Sequence, residues 1–258
     1  MKPLRLGLGR CLLALAVWLI LTVGIPLHGG AASHAPLWQS VSGGIGWSWM
    51  LAALFGLGLV LASGRHALGL RLPVPIGAWR IAWLPFAYAA AACMLAAAGR
   101  PLPGGMVAMV LLNTSLVALS EEVMFRGILL HGLMTRLGVL PAVLASSALF
   151  GAVHALNALT TGDLATSLCQ ALAAALQGVG FAAVRLRTGS LWPMIAAHAL
   201  YDCGLLLLAA RTAPAAGLSV AAALGAILLV VPVMFYGLFL LRKQAGPGAL
   251  PTYPERFN

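Results

Sequence analysis

The stretch Glu121-Glu122-Val-Met-Phe-Arg126 sets two carboxylates and a guanidinium inside an otherwise apolar run. Two further short patterns follow it, Phe150-Gly-Ala-Val-His154 and His198-Ala-Leu-Tyr-Asp202. A carboxylate convergent with imidazoles can activate water for attack on a carbonyl. The same groups can hold a divalent metal, or relay protons through a transporter. Residue types alone leave all three chemistries open.

Helix geometry sorts the groups. At about 100° per residue, Glu122 and Arg126 lie ~40° apart and one turn away, an i,i+4 ion pair. Glu121 then points ~140° away from Arg126. A purely structural cluster, one buried ion pair plus a protonated glutamate joining helices, accounts for Glu122 and Arg126. It does not account for Glu121, for which one arginine offers no second full neutralisation. A carboxylate left partly unpaired in low dielectric is suited to exchanging a proton near neutral pH. Among the histidines, His28, His34 and His66 fall in connections, and His131 falls near the end of its span, where solvation is expected. His154 and His198 fall within apolar helices, with Phe150 one turn before the first and Asp202 one turn after the second.

The elements that must carry these groups are membrane spans. Hydrophobic residues form 62% of the chain and charged residues 8%, whereas a soluble domain has roughly a quarter charged. Apolar runs near 11–27, 46–63, 81–98, 105–133, 140–157, 165–184, 190–209 and 217–241 predict an all-α polytopic bundle of about eight spans. Trp38, Trp47, Trp79 and Trp192 sit near the breaks, as interfacial anchors do. With a cytoplasmic N-terminus, the inner segments hold Lys2, Arg5, Arg10, Arg65, Arg71, Arg80, Arg136, Arg185, Arg187, Arg242, Lys243 and Arg256. The outer ones hold only Arg100 and Arg211, so both termini are expected inside.

The formal charge of +10 is spread over short connections with no basic stripe and interleaved aromatics, which argues against nucleic acid as a partner. Cys11, Cys93, Cys169 and Cys203 lie in apolar runs without C-x-x-C spacing and read as small reduced side chains. The start, MKPLRLGLGR, an apolar run and GGAASHA, also resembles a cleavable signal peptide, which would leave seven spans. Its apolar stretch is long for that role, so an uncleaved anchor is expected. One transmembrane domain is expected over 1–245, with its motif-bearing core at 105–205, followed by a disordered Pro- and Gly-rich tail at 246–258. Counted from the cytoplasmic ends at 1.5 Å per residue, Glu121 lies ~20 Å deep, His154 ~21 Å and His198 ~14 Å, which is one layer near mid-membrane.

The three patterns, in this order on separate spans, resemble the E-E-x-x-x-R, F-x-x-x-H and H-x-x-x-N/D motifs of the CAAX prenyl protease and bacteriocin-processing (CPBP) family of intramembrane endopeptidases. The resemblance implies that Glu121 and His154 activate the attacking water, that Arg126 orients Glu122, and that Phe150 packs. It also implies that His198 and Asp202 stabilise the tetrahedral oxyanion. Asp202 stands where asparagine would be the better donor, so it should be protonated or should orient His198 instead. A glutamate-dependent mechanism with no required cofactor is favoured, and zinc on Glu121, His154 and His198 remains the alternative.

Other intramembrane proteases fail on residues. No His-Glu dipeptide exists for a site-2-type H-E-x-x-H, and no G-x-S-G for a rhomboid. Presenilin-like enzymes need a G-x-G-D after their Tyr-Asp. Here the only Gly-Asp, Gly162-Asp163, precedes Tyr201-Asp202. The expected activity is hydrolysis of a peptide bond in a membrane-associated protein or peptide, prenylated or apolar-tailed, within a lipid membrane. Composition and short loops favour a bacterial inner membrane. The contrasting reading is a non-enzymatic transporter, immunity protein or scaffold whose polar cluster only ties helices together. Substrate identity and oligomeric state are not encoded in any feature of the sequence.

Overall fold

Backbone polar groups in lipid have no water to bond, so a spanning chain must satisfy them within its own helices. The computed structural model, which describes residues 6–29, 36–63, 68–73, 75–212 and 220–242, is helical throughout and contains no strand among those residues. The expected tail at 246–258 and most of the small-residue stretch after Gly29 lie outside the described residues.

In chain order, α1 is Leu8–His28 and α2 is the short Leu37–Ser42. Next come α3, Trp47–Ser63, and α4, Ile76–Ala97, whose first turns are 3₁₀. The long α5 is Gly104–Met134. It is followed by α6, Val139–Ala155, a single turn α7, Ala158–Thr161, and α8, Leu164–Thr188. The last two are α9, Trp192–Thr212, and α10, Val220–Arg242. The apolar runs read from the sequence fall on these helices, except that 217–219 of the last run lie outside the described residues. Among the described residues six segments are long and apolar enough to cross a membrane: α1, α4, α5, α6 continued through α7, α8 and α9. Trp47–Ser63 and, within α10, Ile227–Arg242 are shorter apolar helices. The protein is an integral membrane helix bundle.

Lipid supplies no hydrophobic force to drive helices together, so close packing must. α8 packs between α6 and α10, while α9 packs between α4 and α5; α2 and α3 lie against α5. Several crossings are close enough to require glycine. A Cβ on Gly204 would lie 2.6 Å from the carbonyl carbon of Ala92, and one on Gly237 would lie 2.7 Å from the Cα of Gly180.

Two polar residues fix connections at one end of the bundle. Asn113, fully buried on α5, donates to the carbonyls of Val41 at 2.8 Å and Gly44 at 2.7 Å. Its carbonyl accepts from Gly46 N–H at 2.8 Å, so one amide ties down the connection from α2 to α3. Asp163 caps α8, accepting from the Thr166 N–H at 2.9 Å and the Thr166 hydroxyl at 2.6 Å. Those bonds, the hydroxyl's first, hold its carboxyl below the ordinary range.

Asn113→Leu leaves three backbone groups without their partner, at roughly 1–3 kcal/mol for each that stays buried. It should lower the thermal unfolding midpoint of the detergent-solubilised protein sharply. Asp163→Ala removes only a helix cap and should cost about 1 kcal/mol in the same measurement.

Candidate active site

The second half of α5 is not α-helical throughout. From Glu122 to Leu129 its backbone is a π-helix, closing i→i+5 instead of i→i+4. Leu130 N–H bonds the Phe125 carbonyl in this way, and that same carbonyl accepts from the Ser146 hydroxyl of α6 at 2.8 Å. Eight consecutive residues, Glu122 to Leu129, are buried. The wider ladder changes the phase of the side chains, so the ~140° between Glu121 and Arg126 that a regular α-helix would give does not hold here. Short functional interruptions of this kind are the usual setting of π geometry.

At the start of that segment, Glu122 is fully buried and Arg126 nearly so, with Nη1 3.1 Å from Oε1. The guanidinium carbon lies 3.8 Å from the centroid of Phe150 and 5.6 Å from that of Phe181. Arg126 is thus neutralised along one edge and faces two aromatic rings, a setting that suits its delocalised charge. Phe150 also meets Phe125 edge-on at 5.1 Å, and Phe125 meets Trp18 of α1 at 5.3 Å, which joins the ion pair to the apolar core.

His198 of α9 sits against the same pair. Its Nδ1 is 2.9 Å from Glu122 Oε1, and its Nε2 is 3.3 Å from Asp202 Oδ2 and 3.6 Å from Glu121 Oε2. An ionised carboxylate can only accept, so Nδ1 donates to Glu122. Glu122 therefore takes bonds from both Arg126 and His198 on one oxygen.

His154 of α6 is held differently. Its Nδ1 lies 2.8 Å from the Phe150 carbonyl, and its ring stands edge-on to Phe150 at 4.6 Å. A carbonyl accepts only, so Nδ1 carries the hydrogen and the Nε2 of the neutral ring carries the lone pair.

A cavity of about 380 Å³ meets this cluster. Glu121, His154 and Asp202 line it, together with Asn157 and Gln170 and walls that include Trp18, Trp49 and Val117. Glu122, Arg126, Phe150 and His198 are outside that lining and stand behind it. The side-chain exposure follows the same division: 12% for Glu121 and 30% for Asp202, against 0% for Glu122. All seven residues singled out in the sequence are brought into one cluster, but His198 faces carboxylates and not the cavity. Sequence reasoning passed over Asn157, which donates to Gln170 at 2.9 Å within the cavity. Its place three residues after His154, on the same helical face, was the available signal. Ser146 and Phe181 carried no such signal, since their roles depend on helices far away in sequence.

The residues that a zinc ion would need do not form a ligand set. Both nitrogens of His198 are directed at carboxylates, which leaves His154 Nε2 as the open ring nitrogen of the pair. Among the described residues no three His, Cys, Asp or Glu side chains are arranged to hold a metal ion.

Arg126→Met would leave Glu122 buried without its cation, a change that typically costs 3–5 kcal/mol. It should bring loss of folded protein in detergent, measured by size-exclusion and thermal melting. Glu121→Gln, at the cavity wall, should leave both nearly unchanged.

Residues 103–204 match the family model for type II CAAX prenyl endopeptidase, Rce1-like. No curated protein and no solved structure matches the chain. The matched segment runs from the start of α5 through most of α9 and contains every residue of the cluster. Over that segment the chain is similar to the CAAX protease-like (CPBP) family.

Proposed function

We propose that the chain is an intramembrane endopeptidase which hydrolyses a peptide bond of a membrane-associated protein or peptide by water activated between Glu121 and His154. One observation carries this reading: Glu121, His154 and Asp202, from three helices, line a single cavity, while the ion pair that would otherwise explain the charges lies behind it. The family match adds that proteins of this kind are proteases.

The chemistry follows from the division of the cluster. Glu122 spends its accessible bonding on Arg126 and His198, so it anchors and does not react. Glu121 lines the cavity with its side chain partly exposed, so a water there can be bonded by the carboxylate. His154 Nε2 accepts from or shares the same water. Glu121 takes the proton as the oxygen attacks the carbonyl carbon, and later returns it to the leaving amine. The oxyanion needs a donor on the cavity side. Asp202 reaches the cavity, and in its protonated form it can donate from one oxygen while His198 Nε2 holds the other. His198 is then a positioning residue.

The setting proposed for this chemistry is a bundle of about eight spans, with Trp47–Ser63 and α10 crossing as well as the six longer segments and both termini cytoplasmic. It would lie in a bacterial inner membrane. Neither prenylation of the substrate nor a metal is required by the mechanism.

The test is cleavage of a membrane-proteome peptide library by purified protein in detergent. Glu121→Gln and His154→Ala should each lower the rate by about 10²–10⁴-fold while the fold persists, as loss of a general base or its partner does. A chelator should leave the wild-type rate unchanged. Chelator-sensitive cleavage would overturn the metal-free route. No product from any form, with a control protease active in the same detergent, would favour a membrane protein whose cluster only joins helices.

A further inference from the structure

Every helix that walls the cavity does so from one half only. On α5 the lining residues are Thr114, Val117 and Glu121, and none follows Glu121. On α6 the lining begins at Val153, near its C-terminal end; on α9 it begins at Asp202 and continues to Leu205 and Leu206. α1 contributes from Trp18 onward, and the connection between α1 and α3 contributes Leu37, Ser40 and Gly46. The cavity therefore extends from Glu121 toward the end of the bundle that carries the α1–α3, α4–α5 and α6–α8 connections. About 26 Å of α5 lies between Glu121 and Gly104 on that side, against ~20 Å to Met134 on the other. Glu121 is the floor of the cavity, near mid-membrane.

The two ends of the bundle differ in charge. Arg10, Arg71, Arg80, Arg136, Arg185, Arg187 and Arg242 belong to the end away from the cavity mouth. Packing groups them there: Arg71 lies against Gly189, and Arg185 lies against Gly69. The cavity end has Arg100, Asp163 and Arg211, and Arg211 donates to the Arg100 carbonyl. Basic residues concentrate on the cytoplasmic side of a membrane protein.

We infer that the catalytic cavity opens on the non-cytoplasmic face, so that its substrate is an exported or membrane-anchored polypeptide presented from outside, and not a prenylated protein approaching from the cytosol. The inference rests on the protease reading for its substrate and on the charge asymmetry for its direction. The lining adds a second restriction. Among the described residues that line the cavity none is Lys or Arg, while Glu121 and Asp202 are acidic. Among those described residues no guanidinium or ammonium group is present to receive a substrate's terminal carboxylate, and His154 is the one lining imidazole. The indoles of Trp18 and Trp49 and the amides of Asn157 and Gln170 suit an apolar, uncharged internal segment instead.

The direction can be measured without any proteolysis. Ser48→Cys places a thiol on the cavity wall, and Arg136→Cys places one in the exposed connection at the opposite end. Each full-length variant is exposed to a membrane-impermeant maleimide in bacterial spheroplasts and in inverted vesicles, with the unsubstituted chain as the background for its native cysteines. Modification of Ser48→Cys in spheroplasts, with Arg136→Cys modified only in inverted vesicles, is the expected result. Modification of Ser48→Cys only in inverted vesicles would overturn the inference, as would failure of Ser48→Cys to react from either side. Ser40→Cys, exposed at the mouth, serves if Ser48→Cys does not fold. Since labelling needs no cleavage, a failed protease assay leaves this result intact, and a reversed labelling pattern leaves the protease reading intact.

Discussion

Glu122 and Arg126 are two full charges placed where almost no solvent reaches, and the surrounding structure is organised around keeping them paired. The desolvation of such ions costs several kcal/mol each, and only good geometry with further hydrogen bonds offsets it. The Arg126–Glu122 contact supplies part of this, the His198 ring supplies a second donor to Glu122, and Phe150 and Phe181 supply aromatic rings for the guanidinium. These partners come from α6, α8 and α9, so the pair cannot be satisfied before those helices have packed on α5.

That constraint also separates support from reactivity. Because His198 is committed to carboxylates, the imidazole presented to the cavity is His154, whose tautomer is set by a carbonyl on its own helix. Because Glu122 is committed to Arg126 and His198, the adjacent Glu121 is the glutamate available to a water and a substrate. Two neighbouring residues of one type thus have unlike surroundings. The π-helical segment that begins at Glu122 lies at the point where that separation is made.

The cavity has the same logic at larger scale. Asn113 secures the connection that forms part of its wall, and Glu121 forms its floor with the ion pair behind it. Polar groups stay concentrated on one side of the Glu121 layer, while the arginines of the far end stand apart from it. Behind the pocket, Val123, Met124, Phe125 and Ile128 are all inaccessible and pack around the buried Glu122–Arg126 pair.

The sequence by itself determined that the chain is a helical membrane bundle, since apolar runs and sparse charge admit no other way to satisfy the backbone in lipid. It also determined which groups meet, because Glu122–Arg126, Phe150–His154 and His198–Asp202 are neighbours by helical repeat, a local property. The phase of Glu121 was not legible, since an α-helix was assumed where the Phe125 carbonyl, bonded by Ser146 from another helix, belongs to a π-helical ladder. Nor was it legible that His198 faces inward to Glu122 while His154 faces the cavity. Both are histidines within apolar helices, and what distinguishes them is which distant carboxylate or void each ring meets. Only the packing of α5, α6, α8 and α9 decides that, because the contacts join residues as far apart in the chain as Glu122 and His198.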